Sequence, residues 1–490
     1  MNIHCIDTTK VMSLNLIVAL AVSYAGRPST AFTSPPQRTQ VGKFNAVSVF
    51  EETSHPDFHQ SVENIICDLD GNPLSTDYFA KNMGLPSIES YYCPEEDAFR
   101  GFMSNGCRVK FLPGGESAFY KCIVFQDLAH AWEKKRTAPF KLTRDSTSYE
   151  VAANFLKSKA CHDMAKKTGV KFPKCYDAKL LPNKMDPIES KFSFLLEDLS
   201  ADDGWYQKWL LDTKDECRSS LSAYAKIHAF FWHGSSFWDD DDAAQEFERA
   251  VWRSGSYVQP HAQNPDQCES VACEWANKRM KFEKELSSFG YWENLGERLQ
   301  IVAKECGRHA HPFAEDENFS LEYLKYRTFC HGDPKQANIL FRRSDKSEVE
   351  EIALIDYQWS GFGLASSDIA HFLTSAVHAD MLEAGGEENL MRYYYDELIL
   401  YLVDYGAFTS TRDARNGYSY AVFTHQLETA VLDLCRLVIA YTWDRFEFPV
   451  EKGDDVGCAR TMNKTSYNKS IPNVVWLMSR CDQILKSRGY

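Results

Sequence analysis

One histidine, one aspartate and one asparagine stand close together in the run Phe329-Cys330-His331-Gly332-Asp333-Pro334-Lys335-Gln336-Ala337-Asn338-Ile339-Leu340-Phe341. The pattern is His-x-Asp, with Asn338 five residues after Asp333. A carboxylate placed this way can accept or orient the proton of an attacking hydroxyl, and an amide oxygen on the same loop can hold Mg²⁺ against nucleotide phosphates. The apolar run Ile339 to Phe341, a polar turn with Asp345 and Lys346, and a second apolar run Ile352-Ala353-Leu354-Ile355 lead on to Asp356. Strand, turn, strand and terminal Asp would deliver a second metal-binding carboxylate beside the loop. The chemistry of such a set is phosphoryl transfer, with Asp333 as base and Asn338 and Asp356 as metal ligands. Because Asp333 fills the base position, His331 is expected to anchor the loop. Asp368 is expected to buttress it by hydrogen bonding, and His228, on the apolar face of a helix, reads as a core histidine.

These groups need elements to hold them, and the upstream chain supplies candidates. Gly101 to Gly106 forms a Gly-Phe-Met-Ser-Asn-Gly loop, in which Gly101, Ser104 and Gly106 could cover phosphates. Cys107 to Phe111 alternates as a strand, Pro113 to Glu116 is a turn, and Ala118 to Phe125 reads as a second strand. That second strand carries Lys121, well placed for phosphate oxygens, and Glu150 on a helix from Tyr149 to Lys157 could hold the lysine by an ion pair. Read singly, the two are a surface lysine and a solvated glutamate. Phe192 to Leu196 is an apolar strand ended by Glu197-Asp198-Leu199-Ser200. From there the chain is mostly helical, with Leu221, Tyr224, Ala225, His228, Phe231 and Trp232 on one apolar stripe. Further helices are expected over Leu390 to Val403, Ala421 to Tyr441 and Val474 to Leu485.

Composition limits the alternatives. The chain has 490 residues, 44% hydrophobic and 25% charged, which is ordinary globular usage. Its net charge of −15 disfavours a phosphate-backbone partner, so nucleic acid is not expected. The 15 cysteines are scattered without CxxC pairs and read as reduced thiols. The first fifty residues differ in kind. No acid occurs between Thr8 and Phe50, Leu14 to Ala25 is an apolar run, and a basic, Ser/Thr/Pro-rich stretch follows. Residues 1–50 therefore read as a targeting presequence or disordered tail, to be removed by about residue 45. The Ser29-Thr30-Ala31-Phe32 junction resembles the Ala-Phe junction of bipartite plastid presequences in algae with complex plastids. The plastid, the cytoplasm and the secretory pathway stay open as destinations. Beyond that segment no run reaches the ~18 apolar residues of a membrane span.

The motifs together resemble the aminoglycoside phosphotransferase and choline/ethanolamine kinase group, and within it the CHK-kinase-like or ecdysteroid-kinase-like family. The resemblance runs through Gly101 to Val109, Ser193 to Leu199, Ile227 to Trp232, Cys330 to Asp333, Asn338 to Phe341, Leu354 to Gln358 and Gly363 to Leu373, about residues 95 to 375. It implies an α+β, two-lobed protein-kinase-like fold with a small β-rich N-lobe over 95–198 and a larger helical C-lobe over 199–490. An N-terminal extension over 51–94, read as a helical preamble, would precede them. It also implies ATP at a hinge near Glu197 to Leu199, Mg²⁺, and a small-molecule acceptor bearing a hydroxyl: a choline- or ethanolamine-like, steroid-like, sugar or aminoglycoside-like compound. Lys121 becomes the phosphate lysine and Glu150 its partner. Pro334 and Lys335 depart from the Leu-Trp found in many relatives. Only eleven residues separate Asp356 from Asp368, too few for the activation segment of a protein kinase. A pseudokinase of the same fold is the rival reading. Trp232, Trp238, Trp252, Trp275 and Trp359 with Asp239 to Asp242 could form an acidic aromatic pocket for an ammonium group; ordinary core tryptophans beside a solvated loop are the other reading.

Overall fold

Period-two alternation makes antiparallel strands of residues 105–112 and 117–124, and the sheet built on them holds the first of the site residues. The computed structural model describes residues 66–94, 98–100, 105–128, 139–264, 266–281, 294–343, 348–440 and 471–490, with isolated positions between 282 and 293. All fall within the unit 46–490. The expectations for residues 1–50, Gly101 and Ser104 lie outside the described residues.

The larger sheet contains β1 (Ser90–Tyr92), β2 (Ala98–Arg100), β3 (Asn105–Leu112), β4 (Ser117–Val124), β5 (Cys175–Leu181) and β6 (Lys191–Glu197). Its order is β1-β3-β4-β6-β5, with β2 also paired to β3 and every pairing antiparallel. One face buries Val109, Phe111, Ala118, Tyr120 and Leu195 against Phe79 of α1 (Thr76–Met83). The other buries Ile123, Phe192 and Phe194 against Leu142, Tyr149 and Ala153 of α2 (Pro139–Lys157). Alternation places Lys121 on the α2 face, where its ammonium lies 5.6 Å from the centre of the Tyr149 ring. Two boundaries differ from the sequence reading. The helix begins at Pro139, not Tyr149, and β1 draws part of the 51–94 extension into the sheet.

The rest is mainly helical: α3 (Lys159–Thr168), α4 (Lys214–Phe230), α5 (Asp241–Ala250), α6 (Gln267–Lys281), α7 (Leu295–Ala310), α8 (Glu317–Tyr323), α9 (Ala365–Ser375), α10 (Gly386–Asp404), α11 (Thr411–Gly417), α12 (Tyr420–Ala440) and α13 (Ile471–Ser487). Leu221, Tyr224, Leu299, Ile369, Phe372, Leu398 and Leu427 lie in one large core. No described helix is long and apolar enough to cross a membrane. The architecture is therefore α+β, with a small antiparallel lobe and a larger helical one. Two small sheets sit in the helical lobe: β7 (Trp205–Tyr206), β9 (Ile339–Arg343) and β10 (Val349–Leu354) form one, β8 (Arg327–Cys330) and β11 (Gly361–Leu364) the other.

A strap of residues 252–257 lies across the segment that follows Asp356. Trp252 N–H donates to Ser360 O (3.0 Å), Gly255 N–H to Phe362 O (2.8 Å), Ser256 N–H to Trp359 O (3.0 Å) and Tyr257 N–H to Gly332 O (2.9 Å). The main chains approach so closely that a Cβ on Gly361 would stand 2.2 Å from Trp252 O, and one on Gly332 2.1 Å from Trp359 O. Only glycine fits at either position.

A buried ion pair fixes the strap's far end. Arg436 of α12 has no exposed surface; it donates to Asp433 Oδ1 (2.8 Å), Gln267 Oε1 (2.7 Å) and Val258 O (2.8 Å). Removing one partner of such a pair leaves an uncompensated charge in the core. Arg436→Met should therefore lower unfolding stability by about 3–5 kcal/mol in a urea titration; a loss near zero would show that His311, 3.0 Å from Asp433 Oδ2, holds the carboxylate without the arginine.

Candidate active site

The site is assembled from loop 331–338, the ends of β9 and β10, and β4. Strand β9 pairs β10 with Ile339 opposite Leu354. Asn338 and Asp356 flank these partners, so the hairpin brings both to one end of its sheet. The Ile355 N–H donates to Asn338 O at 3.0 Å, which extends the ladder to that end.

Asp368, on the first turn of α9, holds the loop. Its Oδ2 accepts the His331 N–H at 2.6 Å and its Oδ1 the Gly332 N–H at 3.0 Å. It is only 2% exposed. Burial alone would raise its pKa; hydrogen bonding and charge from His228, with further help from His331 and the Gly332 N–H, leave it below the usual carboxylate range. His228 lies 3.3 Å from Asp368 and 2.7 Å from the Tyr394 hydroxyl, a satisfied core histidine. His331 Nε2 donates to Ile355 O (2.9 Å), and its Nδ1 accepts the Asp333 N–H (3.3 Å). These roles require the neutral ring, and burial lowers its pKa in the same sense. His331 thus couples the loop to the strand that ends in Asp356.

Asp333 is 6% exposed, with Lys335 Nζ 2.6 Å from its Oδ2 and His371 Nε2 3.6 Å from its Oδ1. Burial pushes its pKa up, but the Lys335 ammonium and His371 outweigh it, and the net shift is downward. Asn338 Nδ2 donates to Asp333 O (2.8 Å), which leaves the amide oxygen as the free acceptor. Asp356 adopts φ 69°, ψ 66°, a left-handed conformation that costs a β-carbon residue about 1–3 kcal/mol and is kept where the surroundings impose it. Its Oδ1 is buried without a hydrogen bond and lies 3.8 Å from Lys121 Nζ. A carboxylate oxygen lacking a donor and an amide oxygen turned free, on adjacent strand ends, form a hard-oxygen set that fits Mg²⁺.

The remaining expected residues lie as follows. Gly106 lies opposite Lys121 in the β3–β4 register, where an added Cβ would meet the Phe119 ring at 2.6 Å. Lys121 pairs with Asp356, and among the described residues no ion pair joins it to Glu150. The reason is helical phase. Tyr149 is the α2 residue beneath Lys121, and Glu150 lies about 100° further round. Asp145, one turn before Tyr149 and 2% exposed, pairs with Arg144. The Glu197 carboxylate is committed to Lys171 (2.6 Å) and the Lys174 N–H (3.0 Å). Asp198 accepts from Arg108 (2.6 Å) and Ser117 (2.7 Å). Leu199 joins Trp205, Leu340, Ala353 and Ile355 in a separate apolar cluster. Trp232 and Trp275 are core residues at 1% exposure, and Asp240 caps α5 and pairs with Lys159 at 3.3 Å. No acidic aromatic pocket forms from them. Trp252 and Trp359 instead stack at 6.3 Å and 9° beside the strap, with Tyr257 5.2 Å from Trp359 and the Arg144 guanidinium 5.1 Å from the Trp359 ring.

Residues 150–406, just over half of the chain, match the ecdysteroid kinase-like family. A comparison with curated proteins finds no match. Among solved structures, a spectinomycin phosphotransferase in complex with ADP and spectinomycin is 9% identical, with 84% of this chain and 100% of that one covered at a TM-score of 0.42. A Plasmodium vivax ethanolamine kinase is 10% identical over 79% and 85%, at 0.35. Amicoumacin kinase in complex with AMP-PNP and Ca²⁺ is 11% identical over 81% and 94%, at 0.34.

His371 supplies a test of this geometry. Burial drives its imidazole down to about 4, against ~6.5 in an unfolded chain. Between these values the unfolded chain binds the extra proton, so stability present at neutral pH is lost as pH falls. The midpoint of thermal unfolding should drop from pH 7 to pH 5, and His371→Gln should flatten that drop. Parallel profiles for parent and variant would count against a buried neutral His371.

Proposed function

The chain belongs to the ecdysteroid kinase-like family, and on that premise we propose that it transfers the γ-phosphoryl group of ATP to a hydroxyl of a small molecule. The observation that carries this reading is the convergence of Asp333, Asn338, Asp356 and Lys121 around one end of the β9–β10 hairpin.

In this reading Asp333 orients the acceptor hydroxyl and takes its proton as the oxygen attacks the γ-phosphorus. Its depressed pKa keeps it ionised at neutral pH, as a proton acceptor must be. The acceptor oxygen forms the new P–O bond, the bond to the β,γ-bridging oxygen breaks, and ADP leaves with that electron pair. Asn338 and Asp356 would hold Mg²⁺, which when bound neutralises charge on the phosphate oxygens. Lys121 would contact the phosphates from above. The apolar cluster of Leu199, Trp205, Leu340, Ala353 and Ile355 offers a surface for the purine. It is tied through the chain to the polar set, since Ile355 precedes Asp356 and Leu340 follows Asn338 by two.

The aromatic wall of Trp252, Tyr257 and Trp359 abuts Gly332, next to Asp333. Trp359 already carries the guanidinium of Arg144. An acceptor ammonium would compete with that internal cation, so an uncharged alcohol with apolar carbon surface suits the wall better. Purified protein with ATP and Mg²⁺, challenged with cationic and neutral alcohols and followed by ADP release, tests the acceptor class.

Asp333→Asn should preserve the fold and nucleotide binding while cutting turnover about 10²–10⁴-fold, the worth of a positioned base; full turnover would exclude Asp333 from that role. Asp356→Ala should abolish Mg²⁺-dependent nucleotide binding in calorimetry. A parent-like gain in affinity on adding Mg²⁺ in this variant would remove Asp356 from the ligand set.

A further inference from the structure

Between α7, α12 and Arg488 lies a cleft of about 680 Å³, lined by none of the residues that carry the phosphotransfer reading. That volume suits a small molecule. Its walls follow from helical spacing. Ile301, Val302, Glu305 and His309 form one stripe of α7; Ala421, Val422, Gln426 and Thr429 form one stripe of α12. The apolar lining comes from Ile301, 71% exposed at the rim, and from Val302, Val422 and Leu432. Much of the polar lining is committed to itself. Glu305 is held by His309 (2.6 Å) and Arg308 (3.3 Å), and the other His309 nitrogen meets the Tyr323 hydroxyl. The Thr429 hydroxyl donates to His425 O at 2.9 Å.

Gln426 is the exception. It is 8% exposed, and its Oε1 accepts the Tyr418 hydroxyl at 3.0 Å, which turns the amide nitrogen toward the cleft it lines. Among the described residues that nitrogen has no acceptor, and a donor at such depth calls for one. Within one turn of α12 stands the Arg488 guanidinium, which donates to Thr429 Oγ1 (3.1 Å) and His425 O (3.2 Å). Its carboxylate neighbour Glu428, 3.6 Å away, is shared with Arg480 at 3.2 Å. Burial and then Arg488 lower the His425 pKa, and Glu428 only partly opposes them, so the field beside the cleft is positive. We propose that the cleft binds a small organic carboxylate with an apolar body. The carboxylate accepts from Gln426 Nε2 and Arg488, and the body lies along Ile301, Val302 and Val422. An amide N–H beside a guanidinium is a donor pair for a charged oxygen. A ligand cation would be repelled there, and a plain alkyl chain would leave the buried amide unpaired.

The test is calorimetry on the full chain with decanoate, decanol and acetate. Decanoate should bind at one site. Decanol, which has the chain without the charge, and acetate, which has the head without the chain, should each bind at least about tenfold more weakly. Gln426→Glu keeps an acceptor for the Tyr418 hydroxyl, which guards the fold, but replaces the amide donor with a negative charge. It should weaken decanoate about tenfold or more and leave decanol unchanged. Arg488→Gln should weaken decanoate in the same selective way. Ala421→Trp fills the cleft from an exposed position and should remove binding of both. A saturating non-hydrolysable ATP analogue with Mg²⁺ should leave decanoate in place. Absent decanoate binding, equal affinity for decanoate and decanol, or parent-like decanoate affinity in both Gln426→Glu and Arg488→Gln would overturn the proposal. Displacement by the ATP analogue would overturn it as well, by putting the acid in the phosphotransfer site.

Discussion

The carboxylate of Asp368 takes two consecutive backbone N–H groups, those of His331 and Gly332, in the middle of the helical lobe. A charge at that depth is tolerable only with several donors aimed at it, and here they are main-chain donors whose positions define the loop. Everything downstream depends on this. With 331 and 332 pinned, the left-handed Gly332 turn aims Asp333, the His331 ring reaches Ile355, and the end of β10 is set against the loop at Asp356. The loop is thus fixed by main-chain donors on one carboxylate.

The strap contributes a second constraint of a different kind. It adds strand-like hydrogen bonds to residues 359–362 and caps Gly332 from outside. The segment after Asp356 is held on one side by β8 and on the other by the strap, so its path is determined by main-chain contacts. Arg436 then joins the strap's end to Asp433, α12 and the α6 terminus, which spreads the loop's rigidity into the large core. The site residues borrow their precision from parts of the chain more than a hundred positions apart.

The loop and hairpin that carry the proposed site could be read from the chain because they are local. His331 to Asn338 and the paired strands leading to Asp356 span a short interval, and the strand-turn-strand pattern carries the register. Lys121 and its strand were equally visible from alternation. Asp368 and His331 were legible as supports, since the loop needs anchors and Asp333 already occupied the chemical position. What escaped was phase and distance. Glu150 follows Tyr149 in the sequence, but a helix turns ~100° per residue, so Tyr149 and not Glu150 faces the sheet. The strap escaped because nothing in residues 252–257 announces that they cross residues 359–362. The tryptophans illustrate the same limit: only the fold separates Trp232 and Trp275, sealed in the core, from Trp252 and Trp359 at the loop.

The link between the two lobes has a mechanical corollary. Asp198 is fastened to the sheet by Arg108 and Ser117, while Leu199, the next residue, packs below with Trp205 and Leu340. A second attachment lies at Lys171, whose backbone pairs with Ile352 and Leu354 of β10 and whose ammonium grips Glu197. A third is α2 itself: Leu142 and Tyr149 belong to the sheet's cluster, but Phe155 stacks on Phe329 at 4.8 Å and packs tilted against Tyr357 at 4.6 Å, inside the helical lobe. Swinging the sheet away from Asp356 would require bending α2 or unseating Phe155.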